Sequence, residues 1–162
     1  MSKRAEALAG RFVAANDETI AAAEGYSENQ WATVCSAEGW SVGTLAHHLA
    51  GAHGLVMGLA EGLAGSGQLP PVTWEMIHGM NAQHAQEHGA CDQRETVALL
   101  RGTGDAVAAR IRALGDAGLD RAAPWGLADG ASLSAAQLIE RHIIEHAQGH
   151  LFSIRETAGA AR

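Results

Sequence analysis

Helical periodicity without strand alternation is the feature that most constrains the fold of this chain. Apolar residues recur at helical spacing, runs of β-branched residues with a period of two are missing, and helix-favouring residues such as Ala, Leu and Glu are abundant. Helices are predicted at residues 3–24, 41–63, 73–89, 92–115 and 134–157. Long helices joined by loops predict an all-α helix bundle, in one domain that spans residues 1–162.

Capping residues mark the predicted helix starts. Ser41 is a good N-cap, residues 27–30 and 92–95 have capping-box spacing, and Ser134 opens the last helix. The intervening segments are predicted to be loops at residues 32–39 and 116–131.

Charge and composition exclude several classes of function. Eleven basic and eighteen acidic residues give a net charge of −7, and Lys3 is the only lysine, which argues against nucleic acid and anionic membranes as partners. A spanning helix and a secretory signal are not expected, because long continuous apolar runs are missing. Cys35 and Cys91 form no disulfide framework, so we expect a reduced, cytoplasmic protein; either thiol as a nucleophile remains an alternative.

The nine histidines are the most unusual part of the composition. In the second long helix, steps of about 100° per residue place His48 roughly 50° from the centre of the apolar stripe and His47 roughly 150° from it. His48 is therefore predicted to face inward and His47 to face water, with His53 on the flank.

The last helix carries a histidine every fourth residue. His150 lies roughly 50° from the centre of the apolar stripe, His146 roughly 90° and His142 roughly 130°. His146 and His150 are therefore the inward pair, and residues at i and i+4 can both reach one cation. His48 is the natural third ligand from another helix, and three imidazoles favour zinc, nickel or iron over calcium or magnesium.

Other interpretations of the histidines stay open. Inward histidines can be ordinary core residues, and residues 142–146 spell the inverted zinc-protease motif H-x-x-E-H, whose only downstream acid is Glu156. His84 and His88 are also four residues apart, but their polar surroundings predict a solvated helix face, as for His78. Trp40 and Trp125 are candidates to line a ligand cleft.

Four short motifs resemble those of the DinB/YfiT-like metalloenzyme superfamily. They are QW at 30–31, EGWSV at 38–42, LAHHLA at 45–50 and HAQGH at 146–150. Within that superfamily the chain is most similar to the branch that contains the N-terminal domain of mycothiol-dependent maleylpyruvate isomerase. Leu151 to Ser153 depart from the His-Arg-Gly-Gln ending that is common in the family.

The resemblance implies a four-helix bundle with a long crossover connection and a divalent metal held by His48, His146 and His150. It also implies a homodimer and a thiol-dependent transfer or isomerisation that uses a low-molecular-weight thiol such as mycothiol, bacillithiol or glutathione. We expect no counterpart of the isomerase's additional large domain, so isomerase activity is not carried over. No catalytic side chain is assigned.

The leading hypothesis is an enzyme with zinc or nickel that activates a thiol or water toward a small electrophilic substrate. A low-molecular-weight thiol would then be the cosubstrate. The alternatives are a non-catalytic metal-binding or stress-response module and a purely structural bundle.

Overall fold

A computed structural model describes residues 2–161 and confirms the all-α prediction. The α-helices are α1 (Lys3–Gly25), α2 (Glu28–Ala32), α3 (Val42–Ser66), α4 (Trp74–Glu87), α5 (Gln93–Arg112), α6 (Asp116–Asp120), α7 (Ala135–Ile139) and α8 (His146–Ala160). A π-helical segment, Glu140–Glu145, joins α7 to α8, and the three together are called the last helix. Within residues 2–161, no helix is both long enough and apolar enough to cross a membrane.

Four long helices of the described chain form the bundle. Helix α5 packs between α1 and α3, and the last helix contacts both α1 and α3 on the other side. Helices α1 and α3 therefore lie diagonally across the bundle. The connection between α3 and α5 is the long crossover, and it carries α4.

Short strands lie within and directly after the two segments predicted to be loops. Strand β1 (Val34–Cys35) pairs with β2 (Trp40–Ser41), and β3 (Ala122–Pro124) pairs with β4 (Ser132–Ser134), both antiparallel. The loop prediction was incomplete because strands of two or three residues are too short to show an alternating pattern. Helix α6 and the 3₁₀ turn Gly126–Ala128 also lie in the second segment.

The predicted caps hold the helix starts. Ser41 Oγ accepts the N–H of Thr44 at 3.0 Å, and Asp92 Oδ1 accepts the N–H of Glu95 at 2.9 Å. Ser27 and Ser134 form full capping boxes with the glutamines three residues later. Capping chemistry is local in sequence, which explains why these boundaries could be predicted to within a residue or two.

Helix α3 supplies the central face of the core. Leu45, Leu49, Met57 and Leu63 are fully buried along it. The core divides into two apolar clusters, one around Phe12 and the C-terminal half of α3 and one around the N-terminal half. Alanines at buried positions of α3 let the neighbouring helices approach closely: Ala46, Ala50 and Ala60.

Gly43 gives the Trp31 indole room to lie against α3. Trp31 is 9% exposed and its Nε1 donates to the carbonyl of Cys91 at 3.0 Å, which anchors the chain between α4 and α5. A Cβ at position 43 would overlap the indole ring atoms. This contact requires glycine even though the position lies in the first turn of a helix.

We therefore expect Gly43→Ala to lower the free energy of unfolding by about 1–3 kcal/mol, because the indole must move out of its packed position. Gly62→Ala is the matched control, since it lies in the same helix and a Cβ there meets no atom within 4 Å. It should be neutral or stabilising by up to about 1 kcal/mol. Urea unfolding measures both variants, and equal stability of the two would contradict this packing argument.

Candidate metal centre

Helix α3 and the last helix bring three predicted histidines together. The ring centroid of His48 lies 5.4 Å from that of His146 and 5.6 Å from that of His150, and the His146 and His150 rings are 4.4 Å apart. One nitrogen from each of the three rings lies within 4.8 Å of the others. We call these three residues the inner triad.

Two nitrogens of the inner triad face each other directly. His146 Nε2 and His150 Nε2 are 3.0 Å apart. Two ligands of one tetrahedral zinc ion with Zn–N bonds of about 2.0–2.1 Å stand about 3.3 Å apart. The spacing of the two rings therefore fits shared coordination of a cation.

Glu38 orients the ring of His150 from outside the triad. Its Oε1 lies 3.2 Å from His150 Nδ1, and both side chains are largely shielded from solvent. When His150 Nδ1 donates to this carboxylate, the lone pair of the neutral ring is on Nε2, the atom that faces His146. A carboxylate behind a histidine is the usual partner of a metal-ligating imidazole.

The β1–β2 hairpin places Glu38 in that position. The turn closes through the N–H of Gly39, which donates to the carbonyl of Cys35 at 2.8 Å. Gly39 has φ 73°, a left-handed conformation that glycine adopts without strain. The role of Glu38 could not be predicted from the sequence, because its distance from His150 depends on a hairpin that no local pattern indicates.

Burial keeps the inner histidines neutral. Burial first, and the neighbouring histidines second, lower the pKa of His48 to about 4 and that of His146 to about 2. Histidine binds a metal in its neutral form, so these rings need to lose no proton near pH 7. His146 Nδ1 is buried and has no hydrogen-bond partner within the described residues.

The π-helical segment separates His142 from the inner triad. Its wider turns precede His146, so the constant steps of 100° used for the sequence do not apply there. His142 instead packs against Trp125, with ring centroids 5.8 Å apart. Since Glu145 is exposed and His142 lies apart from the inner triad, the H-x-x-E-H motif forms no protease-like site. Trp125 is a buried core residue and does not line a cleft.

His53 is a core residue, whereas the sequence placed it on the flank of its helix. It is 2% exposed and packs edge-on against Phe12 with ring centroids 5.2 Å apart. The expected position was wrong because Met57 and Ala60, rather than Val56 and Leu59, are the buried residues of this part of α3. Burial lowers the pKa of His53 to about 3.

A second cluster of histidines lies where the sequence predicted solvated side chains. His47 of α3 stacks on His88 with ring centroids 4.0 Å apart, and His84 of α4 lies 5.2 Å from His47. We call these three residues the outer triad. The prediction that they face water was wrong because the C-terminal end of α4 approaches α3 here, and all three residues are half-buried. His78 is exposed, as expected.

Trp40 borders both triads, with ring centroids 5.2 Å from His48 and 5.8 Å from His84. It therefore lines the site, as the sequence suggested. The two thiols do not offer an activated nucleophile, because burial raises the pKa of both Cys35 and Cys91.

The all-α bundle, with three histidines brought together by α3 and the last helix, has the architecture of a DinB-like helical domain. Residues 12–148 match the mycothiol maleylpyruvate isomerase N-terminal domain family, and the chain belongs to that family. The matched range includes His48 and His146 and ends before His150. No curated protein and no solved structure matches the chain.

The neutral state of His53 predicts a loss of stability in acid. The folded protein holds this ring unprotonated down to a pKa of about 3, whereas the unfolded chain takes up a proton near pH 6.5. Stability from this residue is thus complete above pH 6.5 and falls as the pH drops below it. Between pH 7 and pH 5 the loss from His53 is about 2 kcal/mol.

Urea unfolding of chelator-treated protein at pH 7 and pH 5 measures this dependence. In His53→Leu the difference between the two pH values should shrink by about 2 kcal/mol, whereas His78→Leu, at an exposed position, should leave it unchanged. An unaltered pH dependence in His53→Leu would contradict the assignment of a buried neutral ring.

Proposed function

We propose that this protein is a divalent-metal enzyme in which His48, His146 and His150 hold zinc or nickel. Its substrate would be a small electrophilic molecule, and a low-molecular-weight thiol or water would be the attacking group. The observation that carries the proposal is the opposed pair of imidazole nitrogens, 3.0 Å apart, with the ring of His48 beside them. Membership of the mycothiol maleylpyruvate isomerase N-terminal domain family supports the thiol chemistry.

The inner triad has the donor set of a catalytic rather than a structural site. A bound zinc or nickel ion would supply Lewis acidity, which lowers the pKa of a bound thiol or water toward neutrality. Three neutral imidazoles contribute no negative charge that would weaken this effect. They also leave coordination positions free for thiol and substrate.

The surrounding side chains support the same chemistry. Glu38 fixes the proton of His150 on Nδ1 and so keeps Nε2 available as a ligand. Trp40 and His84 cover one side of His48 and restrict water there. Since burial raises the pKa of the cysteine thiols, an external thiol is a better nucleophile than any thiol of the chain.

We also propose that the protein acts in the cytoplasm as a homodimer, which follows the resemblance to the family. Large apolar side chains on α4 are about half exposed and are suited to cover by a second copy: Trp74, Met76 and Met80.

Thiol-dependent activity tests the proposed function. Untagged protein loaded with Zn²⁺ or Ni²⁺ is assayed with mycothiol, bacillithiol or glutathione, against maleylpyruvate and a chlorodinitrobenzene electrophile. We expect metal-dependent turnover with at least one thiol, and a fall to the uncatalysed rate in His48→Ala. His78→Ala should retain the activity, since this exposed residue lies outside both triads.

Two results would contradict the enzyme assignment. One is turnover that survives His48→Ala. The other is metal bound to the inner triad without turnover for any pair of thiol and electrophile, which would favour the non-catalytic metal-binding module.

Glu38→Ala tests the role of the carboxylate behind His150. Without this hydrogen bond the ring can rotate and can adopt either tautomer, so the affinity of the inner triad for Zn²⁺ should fall about 10–100-fold. Competition with a chromophoric chelator measures it. Glu156→Ala is the control, because it removes the same charge from an exposed position of α8. Equal affinities for the two variants would contradict this role.

A further inference from the structure

The outer triad joins two helices through imidazole side chains. His47 belongs to α3. His84 lies in the last turn of α4, and His88, four residues later, is the C-cap of that helix. The ring centroids of His84 and His88 are 4.8 Å apart, and one nitrogen of each of the three residues lies within 4.8 Å of the others. Three imidazoles at this spacing are a donor set for a borderline-soft divalent ion.

We propose that the outer triad is a second metal site, which binds a divalent transition-metal ion such as Zn²⁺ and fastens α4 to α3. The proposal goes beyond the proposed function, because the outer triad shares no ligand with the inner triad and needs no catalysis.

The hydrogen bonds at the outer triad leave nitrogens free for a metal. His84 Nε2 lies 3.4 Å from the carbonyl oxygen of Thr44, so a proton on Nε2 leaves the lone pair of the neutral ring on Nδ1. His47 Nδ1 is buried and has no hydrogen-bond partner within residues 2–161. A polar atom in that position costs free energy unless a partner satisfies it, and a cation can be that partner.

The inner face of α4 explains why a metal would be useful here. Every residue of α4 is exposed or half-buried, and its half-buried positions share one face. They are Ile77, Asn81, His84 and Ala85, followed by His88 at the helix end. Such a face buries little apolar surface, so hydrophobic packing alone holds α4 weakly.

A second polar contact, besides that of His84 with the Thr44 carbonyl, holds the end of α4 on α3. Thr44 Oγ1 donates to the carbonyl oxygen of His88 at 3.3 Å. Coordination through three side chains would add the free energy of metal binding to the docking of the helix. The nitrogens need a small closing movement, since ligands of a tetrahedral zinc ion lie about 3.3 Å apart. His88 is well placed for that movement, because it caps the helix just before Gly89.

The outer triad also adjoins the inner triad. His47 and His48 are consecutive residues of α3, and the ring of His84 lies 5.4 Å from that of His48. Fastening α4 would therefore fix His84 and the neighbouring Trp40 against the inner triad. Metal at the outer triad would in this way determine how tightly one side of the inner triad is covered.

Metal stoichiometry in single variants tests the proposal. Untagged protein is stripped with a chelator, titrated with Zn²⁺ or Co²⁺, and its bound metal counted after gel filtration. We expect two ions in the wild-type chain, one in His88→Ala and one in His48→Ala, with His78→Ala as the control that keeps both. His88→Ala is preferred because His88 lies at the exposed end of α4, outside the buried core.

The outcomes separate this proposal from the proposed function. One ion in the wild type that survives His88→Ala and is lost in His48→Ala would overturn the outer site and leave the inner one. One ion that survives His48→Ala and is lost in His88→Ala would support the outer site and overturn the metal enzyme. If the wild type binds two ions and His88→Ala still binds both, the outer site is overturned.

Amide hydrogen exchange provides a readout that does not depend on counting metal. Addition of Zn²⁺ should slow exchange in α4 (Trp74–Glu87) at least tenfold in the wild type and in His48→Ala, because local opening then has to break the coordination. His88→Ala should show no such slowing. Equal exchange in α4 with and without Zn²⁺ in the wild type would overturn the proposal.

Discussion

The structure depends on placing uncharged imidazoles between helices that otherwise pack through alanine and aliphatic side chains. A buried polar ring costs free energy unless its nitrogens find partners. Burial holds the pKa values of His48, His53 and His146 far below the ordinary value, so the fold accommodates these rings without charge. A histidine also binds a metal in its neutral form. Burial therefore both keeps these rings uncharged in the core and leaves them in the state that can bind a metal.

Helix α4 differs from the four long helices of the described chain. They are held by apolar surface in two core clusters, whereas α4 contributes no buried residue and meets the bundle through half-buried side chains. Its position next to His48 makes the crossover a part of the site rather than a simple connection. A weakly packed element is also the part of a fold that opens most easily.

The fold and the inner triad could be predicted from the sequence because both depend on local information. Ser41, Asp92 and Ser134 start helices through bonds to residues three positions away. The periodicity of α3 predicted the inward position of His48, and the four-residue spacing within α8 predicted that His146 and His150 lie on one side of that helix. The outer triad could not be predicted in the same way, since the residue pattern of α3 does not show that the end of α4 packs against it. Glu38 depends on a hairpin of two-residue strands, and the position of His142 depends on a π-helical segment, neither of which follows from regular periodicity.

Anomalous diffraction at the zinc edge, from crystals grown with Zn²⁺, locates any zinc ion bound at the inner triad. We expect a peak between α3 and the last helix, with one nitrogen each of His48, His146 and His150 about 2.0–2.1 Å away. A map in which these three rings share no peak, while each nitrogen is satisfied by protein or water, would contradict this expectation.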